Sequence, residues 1–272
     1  AKLEQFLKNN PEEKLILPTH YNLYKIYQII APEKAVASKQ FIVSKYPESR
    51  YAQIISNVNQ DKDFNQGTPD DVYNKLYAEY EKGDYATVLT SLENLITQYS
   101  VDEIVSKFEL LKATTIGKVA GLLAYKKNLQ FVATNYPNTA EGKSATLTLN
   151  KDIPTLEALV FTKVPSNKWN ILYRVGTLSD EQTTIVEAQI KKWIATTASP
   201  NMSYSFDNYT LKDNFITIHG LRSEADAIDI ANYLKNTKEF TVAAAYITIS
   251  TDNYKIVQIN KNLEDYLEFK KQ

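Results

Sequence analysis

The amino-acid sequence predicts an α-then-α+β chain, with an irregular solenoid of paired helices over residues 1–160 and a small α/β domain over residues 166–272. Three observations predict it. Apolar residues recur every three or four positions from Pro18 to about Leu159, and at every second position after Pro165. An aromatic followed by Pro and then by Ser or Thr punctuates the first part, at Tyr46-Pro47 and Tyr136-Pro137. Glycine is scarce, 7 in 272 residues, which suits long helices and disfavours phosphate-cradling loops.

The periodicity predicts helices near 2–9, 19–31, 33–46, 48–58, 70–82, 84–99, 101–115, 118–135 and 138–148. Tyr46-Pro47-Glu48-Ser49-Arg50-Tyr51-Ala52 and Tyr136-Pro137-Asn138-Thr139-Ala140-Glu141-Gly142 are two copies of one turn, and Tyr99-Ser100-Val101-Asp102 is a degenerate third. Each aromatic follows an apolar residue by four positions, Ile42, Leu95 or Val132, the spacing that staples a helix end onto its pair. Pro just after a helix stops the chain and turns it. Tyr77 to Ala86, with Gly83 between, resembles the turn inside a tetratricopeptide repeat: Gly allows a left-handed exit, and the small Ala86 lets the second helix approach the first. Ala35-Val36-Ala37 falls at the corresponding place in the preceding unit, and the polar stretch Asn57–Asp71 reads as an insertion. Stacked pairs of this kind form a superhelix with a concave protein-binding groove, or a plain helical spacer.

Beyond Pro165-Ser166-Asn167, Trp169–Val175 alternates as a half-buried strand and Gly176 ends it. Asp180–Thr196 reads as a helix with Val186, Ile190, Trp193 and Ile194 on one face. Met202–Tyr209 and Phe215–His219 are strands joined by a turn around Lys212-Asp213-Asn214. A helix follows from Ser223 or Glu224 to Lys235, with Ala227, Ile228, Ala231 and Leu234 along one stripe. Then come a strand at Phe240–Ser250, a turn at Thr251-Asp252-Asn253, a strand at Tyr254–Ile259 and a helix from Asn262 to Lys270. The order βαββαβ, with an added strand and helix, resembles a ferredoxin-like unit. Its Phe215–Leu234 string, strand then Gly220 turn then capped helix, also resembles a peptidoglycan-binding SPOR-type domain.

Charge and composition remove several function classes. Lys and Arg number 31 against 32 Asp and Glu, a net charge of -1, so no global field draws nucleic acid or anionic lipid. Without cysteine, thiolate metal sites, disulfides and Cys nucleophiles are excluded. No apolar run reaches the roughly 18 residues that span a bilayer. Ala1–Leu3 leads into helix-like sequence without a signal pattern, so the N-terminus is expected to be a cut end, and any signal or lipid anchor would lie upstream of it. No P-loop, dinucleotide fingerprint, nucleophile elbow or HExxH occurs. His20, ahead of a helix, is expected to cap or be solvated, and His219 ends a strand with no evident partner. Glu12-Glu13, Asp70-Asp71, Asp102-Glu103 and Glu264-Asp265 fall at helix starts, where the dipole accounts for them. Lys126-Lys127, Lys191-Lys192 and Lys270-Lys271 read as solvated doublets. The expectation is a protein without catalytic residues, metal or cofactor; an enzyme would have to be a carboxylate-driven hydrolase. Tyr21, Tyr24 and Tyr27, at helical spacing, are the candidate partner-binding residues, unless they fill a helix-helix interface instead.

Helix pairs marked by Tyr-Pro-x-Ser/Thr resemble envelope lipoproteins of the Bacteroidetes. The string from Ile249 to Leu267, carrying Asn253, Tyr254, Lys255, Ile256, Asn262, Leu263 and Tyr266, is similar to the closing segment of the SprE/PorW family of type IX secretion and gliding motility. That resemblance implies a non-enzymatic periplasmic adaptor held at the outer membrane through an upstream lipidated Cys. Its implied partners are translocon, ring and motor components, with peptidoglycan binding as the alternative.

Overall fold

A computed structural model describes residues 2–9, 13–47, 49–56, 68–100, 102–197 and 199–272. Helices fill the first part and a four-stranded antiparallel sheet with helices fills the last. Chain contacts divide it into two compact units, Ala1–Glu109 and Leu110–Gln272, so the boundary lies inside a helix and the last helical pair groups with the sheet.

The first unit holds α1 (Lys2–Lys8), α2 (Glu13–Ile30), α3 (Pro32–Lys45), α4 (Arg50–Ser56), α5 (Pro69–Lys82), α6 (Tyr85–Gln98) and the start of α7 (Val105–Ala120). The expected start of α2 near residue 19 is corrected: the helix begins at Glu13 and runs through Pro18, whose missing N–H costs one hydrogen bond without ending it. Tyr21, Ile42, Ala52 and Ile55 form the buried core of α2, α3 and α4. Thr68 caps α5 in a reciprocal box with Asp71. Gly83 ends α5 at φ 84, the left-handed exit expected there, and Asp84 caps α6 by accepting from the Thr87 amide at 3.2 Å. Ala86, expected at the close approach, is exposed instead. Val72 and Leu76 of α5 and Val88 and Leu92 of α6, all 0 % exposed, are buried there. The predicted insertion Asn57–Asp71 lies outside the described residues as far as residue 67.

The Tyr-Pro turns have one geometry. The Tyr46 amide donates to Ile42 O at 3.0 Å, Ser49 N to Tyr46 O at 2.9 Å, and Ala52 N to Ser49 Oγ at 3.1 Å. In the second copy Tyr136 N donates to Val132 O at 3.0 Å, Thr139 N to Tyr136 O at 3.1 Å, and Gly142 N to Thr139 Oγ1 at 3.1 Å. The degenerate copy keeps the first two bonds, Tyr99 N to Leu95 O and Asp102 N to Tyr99 O. Sequence identity at the aromatic and the hydroxyl thus fixes both the helix stop and the next cap.

The second unit begins with the rest of α7, then α8 (Leu122–Asn135) and α9 (Ala140–Glu157). The break between α7 and α8, expected near 115–118, falls at Gly121, whose φ of 85 permits it. A Cβ there would lie 2.8 Å from Asn260 O. The expected end of α9 at 148 is also corrected, because the helix continues through Pro154 to Glu157. The sheet is built from β1 (Trp169–Arg174), β2 (Ser203–Asn208), β3 (Asn214–Leu221) and β4 (Tyr246–Ser250), in the order β2-β3-β1-β4. With α10 (Asp180–Thr196) and α11 (Glu224–Asn236) interposed, this is a split βαβ arrangement. Ile171 and Tyr173 of β1 and Ile216 and Ile218 of β3 bury one sheet face with Val186, Ile190 and Trp193 of α10 and Ala227, Ala231 and Leu234 of α11. Ile228, expected on that stripe, is 39 % exposed.

Two expectations after α11 are corrected. Phe240–Ala245 is not strand: Phe240 and Val242 drop into the core from a loop, and β4 begins at Tyr246. The expected strand Tyr254–Ile259 is helix, α12 (Thr251–Asn260), followed by α13 (Leu263–Lys271). Ser250 caps α12 through the Asn253 amide, and Asn253, Tyr254, Ile256 and Val257 are buried at helical spacing. Tyr254, Val257, Leu263 and Tyr266 cover the second sheet face over Leu172, Phe215 and Ile249.

Candidate functional site

In the first unit the tyrosine stripe is divided by burial. Tyr21 is 3 % exposed, its ring 4.9 Å from that of Tyr51, so it fills an interface between helices. Tyr24 and Tyr27 are half-buried. The Tyr24 hydroxyl accepts from Gln28 at 3.0 Å, and Tyr27 donates to the Glu4 carboxylate, joining α2 to α1. His20 neither caps nor points to solvent: it lies within α2, stacked on Phe41 at 3.8 Å, with Nδ1 buried and unbonded among the described residues. Burial, then the nearby Lys45, lowers its pKa. The solvent-facing apolar residues lie further along the α2–α3 turn, where Ile29 is 84 %, Ile30 70 % and Val36 65 % exposed. In the second unit Leu123 of α8 and Leu147 of α9 are 82 % and 63 % exposed.

The family-like C-terminal string is mostly interior. Asn253, 4 % exposed, pairs both ways with the Thr162 backbone, accepting at 3.0 Å and donating at 2.9 Å, which ties the segment before β1 to α12. Tyr254 donates to Asp207 Oδ2 at 2.5 Å and accepts from Gln258 at 2.6 Å. Burial and then the Asp207 charge hold its pKa well above the tyrosine range. Tyr266 reaches the Thr248 carbonyl at 3.4 Å, and its pKa is pushed up to about 12 by burial and then Glu224. Asn262 caps α13 without a side-chain bond; the Leu263 amide goes instead to the Tyr209 hydroxyl at 2.9 Å. Ile256 is buried and Lys255 exposed.

On the same sheet face lies a polar network that the sequence reading missed. Asp207 accepts from Ser205 at 2.8 Å, Thr217 at 2.6 Å and Tyr254. His219, expected to be partnerless, has Nε2 2.7 Å from Ser205 Oγ and Nδ1 3.1 Å from Asn170 Oδ1. Burial lowers its pKa against the opposing pull of Asp207. Only the hairpin register brings it together: the odd positions of β2, Ser203, Ser205 and Asp207, pair across to His219, Thr217 and Phe215.

Two cavities flank α13. One of about 280 Å³ is lined by Trp169, Tyr266, Phe269 and the Lys270–Glu224 pair, whose atoms approach to 2.6 Å. The other, about 440 Å³, has Asp213 and Glu264 at its wall, both held by Arg174 at 2.7 and 3.4 Å. Lys261 also lines it, its pKa lowered to about 8 by burial and then by Lys118. The lysine doublets carry acid partners: Lys126 with Glu157, Lys192 with Glu239, and Lys271 with Glu268. Among the described residues no cluster of His, Asp and Glu could hold a metal, and no helix is long and apolar enough to cross a membrane.

Fold and surface define a helical protein that carries a small α+β domain and exposes apolar side chains on its helix pairs. No family model and no curated protein matches the chain.

Proposed function

We propose that the protein is a non-enzymatic adaptor of the periplasm, a tetratricopeptide-like array joined to a ferredoxin-like domain, that docks other proteins of type IX secretion and gliding motility. The observation that carries the docking role is the solvent-facing apolar set at the α2–α3 turn, Ile29, Ile30 and Val36, on helices whose opposite faces are already buried. Apolar side chains gathered at one turn are a feature of interaction surfaces. The repeated Tyr-Pro turn geometry and the similarity of the Ile249–Leu267 string to the SprE/PorW family support the choice of machinery. In this reading an upstream lipidated Cys holds the protein at the outer membrane. Cell-wall binding receives less support, because Asp207, Ser205 and His219 on the sheet face spend their hydrogen bonds on one another.

The test is a pull-down from Bacteroidetes envelopes with the wild-type chain and with Ile29→Asp/Ile30→Asp. Recovery of secretion components by wild type and their loss with the variant is expected. Equal recovery by both chains, or none by either while unrelated envelope complexes survive, overturns the proposal.

A further inference from the structure

The two edges of the sheet, β4 and β2, are finished differently. Arg174 N bonds Ala245 O, so Ile247 and Ile249 face β1 and Thr248 faces out. From α13, Lys270 Nζ at 2.9 Å and the Tyr266 hydroxyl at 3.4 Å close that outward Thr248 carbonyl. At the other edge, alternation along the antiparallel ladder identifies the open groups. Tyr209 N donates to Asp213 O across the hairpin, while the Asn214 carbonyl turns away from β2 to accept from Val175 N. Ser203, Ser205 and Asp207 therefore direct their backbone groups at β3, and Tyr204 and Phe206 direct theirs outward. Among the described residues nothing bonds the outward N–H and C=O of those two aromatics.

Edge strands that stay single are usually blunted by Lys, Pro or a bulge. β2 has none of these: it reads Ser203-Tyr204-Ser205-Phe206-Asp207-Asn208 and pairs with β3 without a register shift. Its one charge, Asp207, is held on the α12 face by Ser205, Thr217 and Tyr254. On the opposite face Tyr204 packs on the core, and Phe206 is 44 % exposed.

We propose that the β2 edge is a homodimer interface, pairing antiparallel with β2 of a second copy about a two-fold axis normal to the sheet. The strand is complementary to itself, which selects a second copy as its occupant. With Ser205 on the axis, Tyr204 lies opposite the partner's Phe206, and each such pair exchanges both of its outward backbone hydrogen bonds. The rings then meet across strands on one face, a stabilising pair. On the other face Ser203 lies opposite the partner's Asp207, so like charges are not opposed. The joined sheet has only β4 edges left, both covered by α13. A short edge makes a weak dimer. The interface uses none of Ile29, Ile30 or Val36, and so stands apart from the docking role.

Analytical ultracentrifugation of the full chain from roughly 10 μM to 1 mM, the range in which a short interface associates, is combined with amide hydrogen exchange at both ends. The average mass should rise from monomer toward dimer. The Tyr204 and Phe206 amides should gain about 10-fold or more protection at the upper end, and those of Ser205 and Asp207, already bonded to β3, far less. Phe206→Pro removes an N–H that the single chain does not use, so it should fold by circular dichroism and associate at least about 10-fold more weakly. Ile29→Asp/Ile30→Asp should dimerise as wild type does; loss of the dimer there assigns it to the α2–α3 turn and overturns the β2 interface. A wild type still monomeric at about 1 mM overturns it as well. So does a dimer that leaves Tyr204 and Phe206 unprotected, or a folded Phe206→Pro chain that associates like wild type.

Discussion

Replacing Tyr254 by Phe deletes one oxygen from the centre of the second sheet face. The ring is 7 % exposed and stays packed, so the change isolates the hydroxyl. That hydroxyl donates to the Asp207 carboxylate at 2.5 Å, lies 3.2 Å from Thr217 Oγ1 and accepts from Gln258. A hydrogen bond to a charged group contributes about 1.5–3 kcal/mol, and Gln258 loses an acceptor besides. Asp207 keeps Ser205 and Thr217, so the net loss should fall near 2 kcal/mol. The assay is urea denaturation followed by tryptophan fluorescence. Both tryptophans, Trp169 and Trp193, belong to the second unit, so the signal reports that unit alone. Paired with Asp207→Asn, a double-mutant cycle should give a coupling of about 1 kcal/mol or more. A loss under about 0.5 kcal/mol for Tyr254→Phe, with no coupling, would refute the view that this segment is held by its polar contacts.

Other perturbations follow from the same contacts. Gly142→Ala places a Cβ 1.9 Å from the Tyr136 carbonyl oxygen, so it should destabilise the second unit by about 3 kcal/mol or more in the same urea assay. Tyr21→Ala should cost the first unit about 3–5 kcal/mol and Tyr24→Ala far less, read by thermal circular dichroism; equal losses would contradict the burial difference. Lys261 has a folded pKa of about 8, below the ordinary lysine value, so the unfolded chain holds the extra proton between the two. Stability of the second unit should therefore rise from about pH 8 toward 10 by about 1–2 kcal/mol once solvent screening is allowed for. Lys261→Asn, which keeps the left-handed backbone at φ 57, should abolish that rise.

Much of the architecture was legible because local chemistry and tertiary environment agree. Gly83, Ser223 and the two Tyr-Pro turns carry their caps and stops in the sequence. The split βαβ order follows from alternation in β1 to β3 and the apolar stripes of α10 and α11. The reading failed at α12 because Tyr254-Lys255-Ile256-Val257-Gln258-Ile259 is a short apolar run rich in β-branched residues, which favour strand. The Ser250 cap and burial against both the sheet and α8 decide for helix. The expected helix limits at residues 19 and 148 fell short, because the helices run on through Pro18 and Pro154, each losing one backbone hydrogen bond without ending. His219 gave no sign of partners because Ser205 and Asn170 reach it across strands, 14 and 49 residues away in sequence.

The position of α12 bears on how the second unit assembles. Its Tyr254 and Val257 complete the core against the sheet, while Ile259 packs with Leu129, Val132 and Ile153 of α8 and α9, and Asn260 closes against Gly121. A helical hairpin ordinarily gathers its contacts among neighbours in sequence and forms quickly. Here the hairpin and the sheet share a helix made after both. Neither can finish alone, so loop closure over most of the unit must precede its final packing, and α8, α9 and the strands should gain protection from hydrogen exchange together, in one cooperative step.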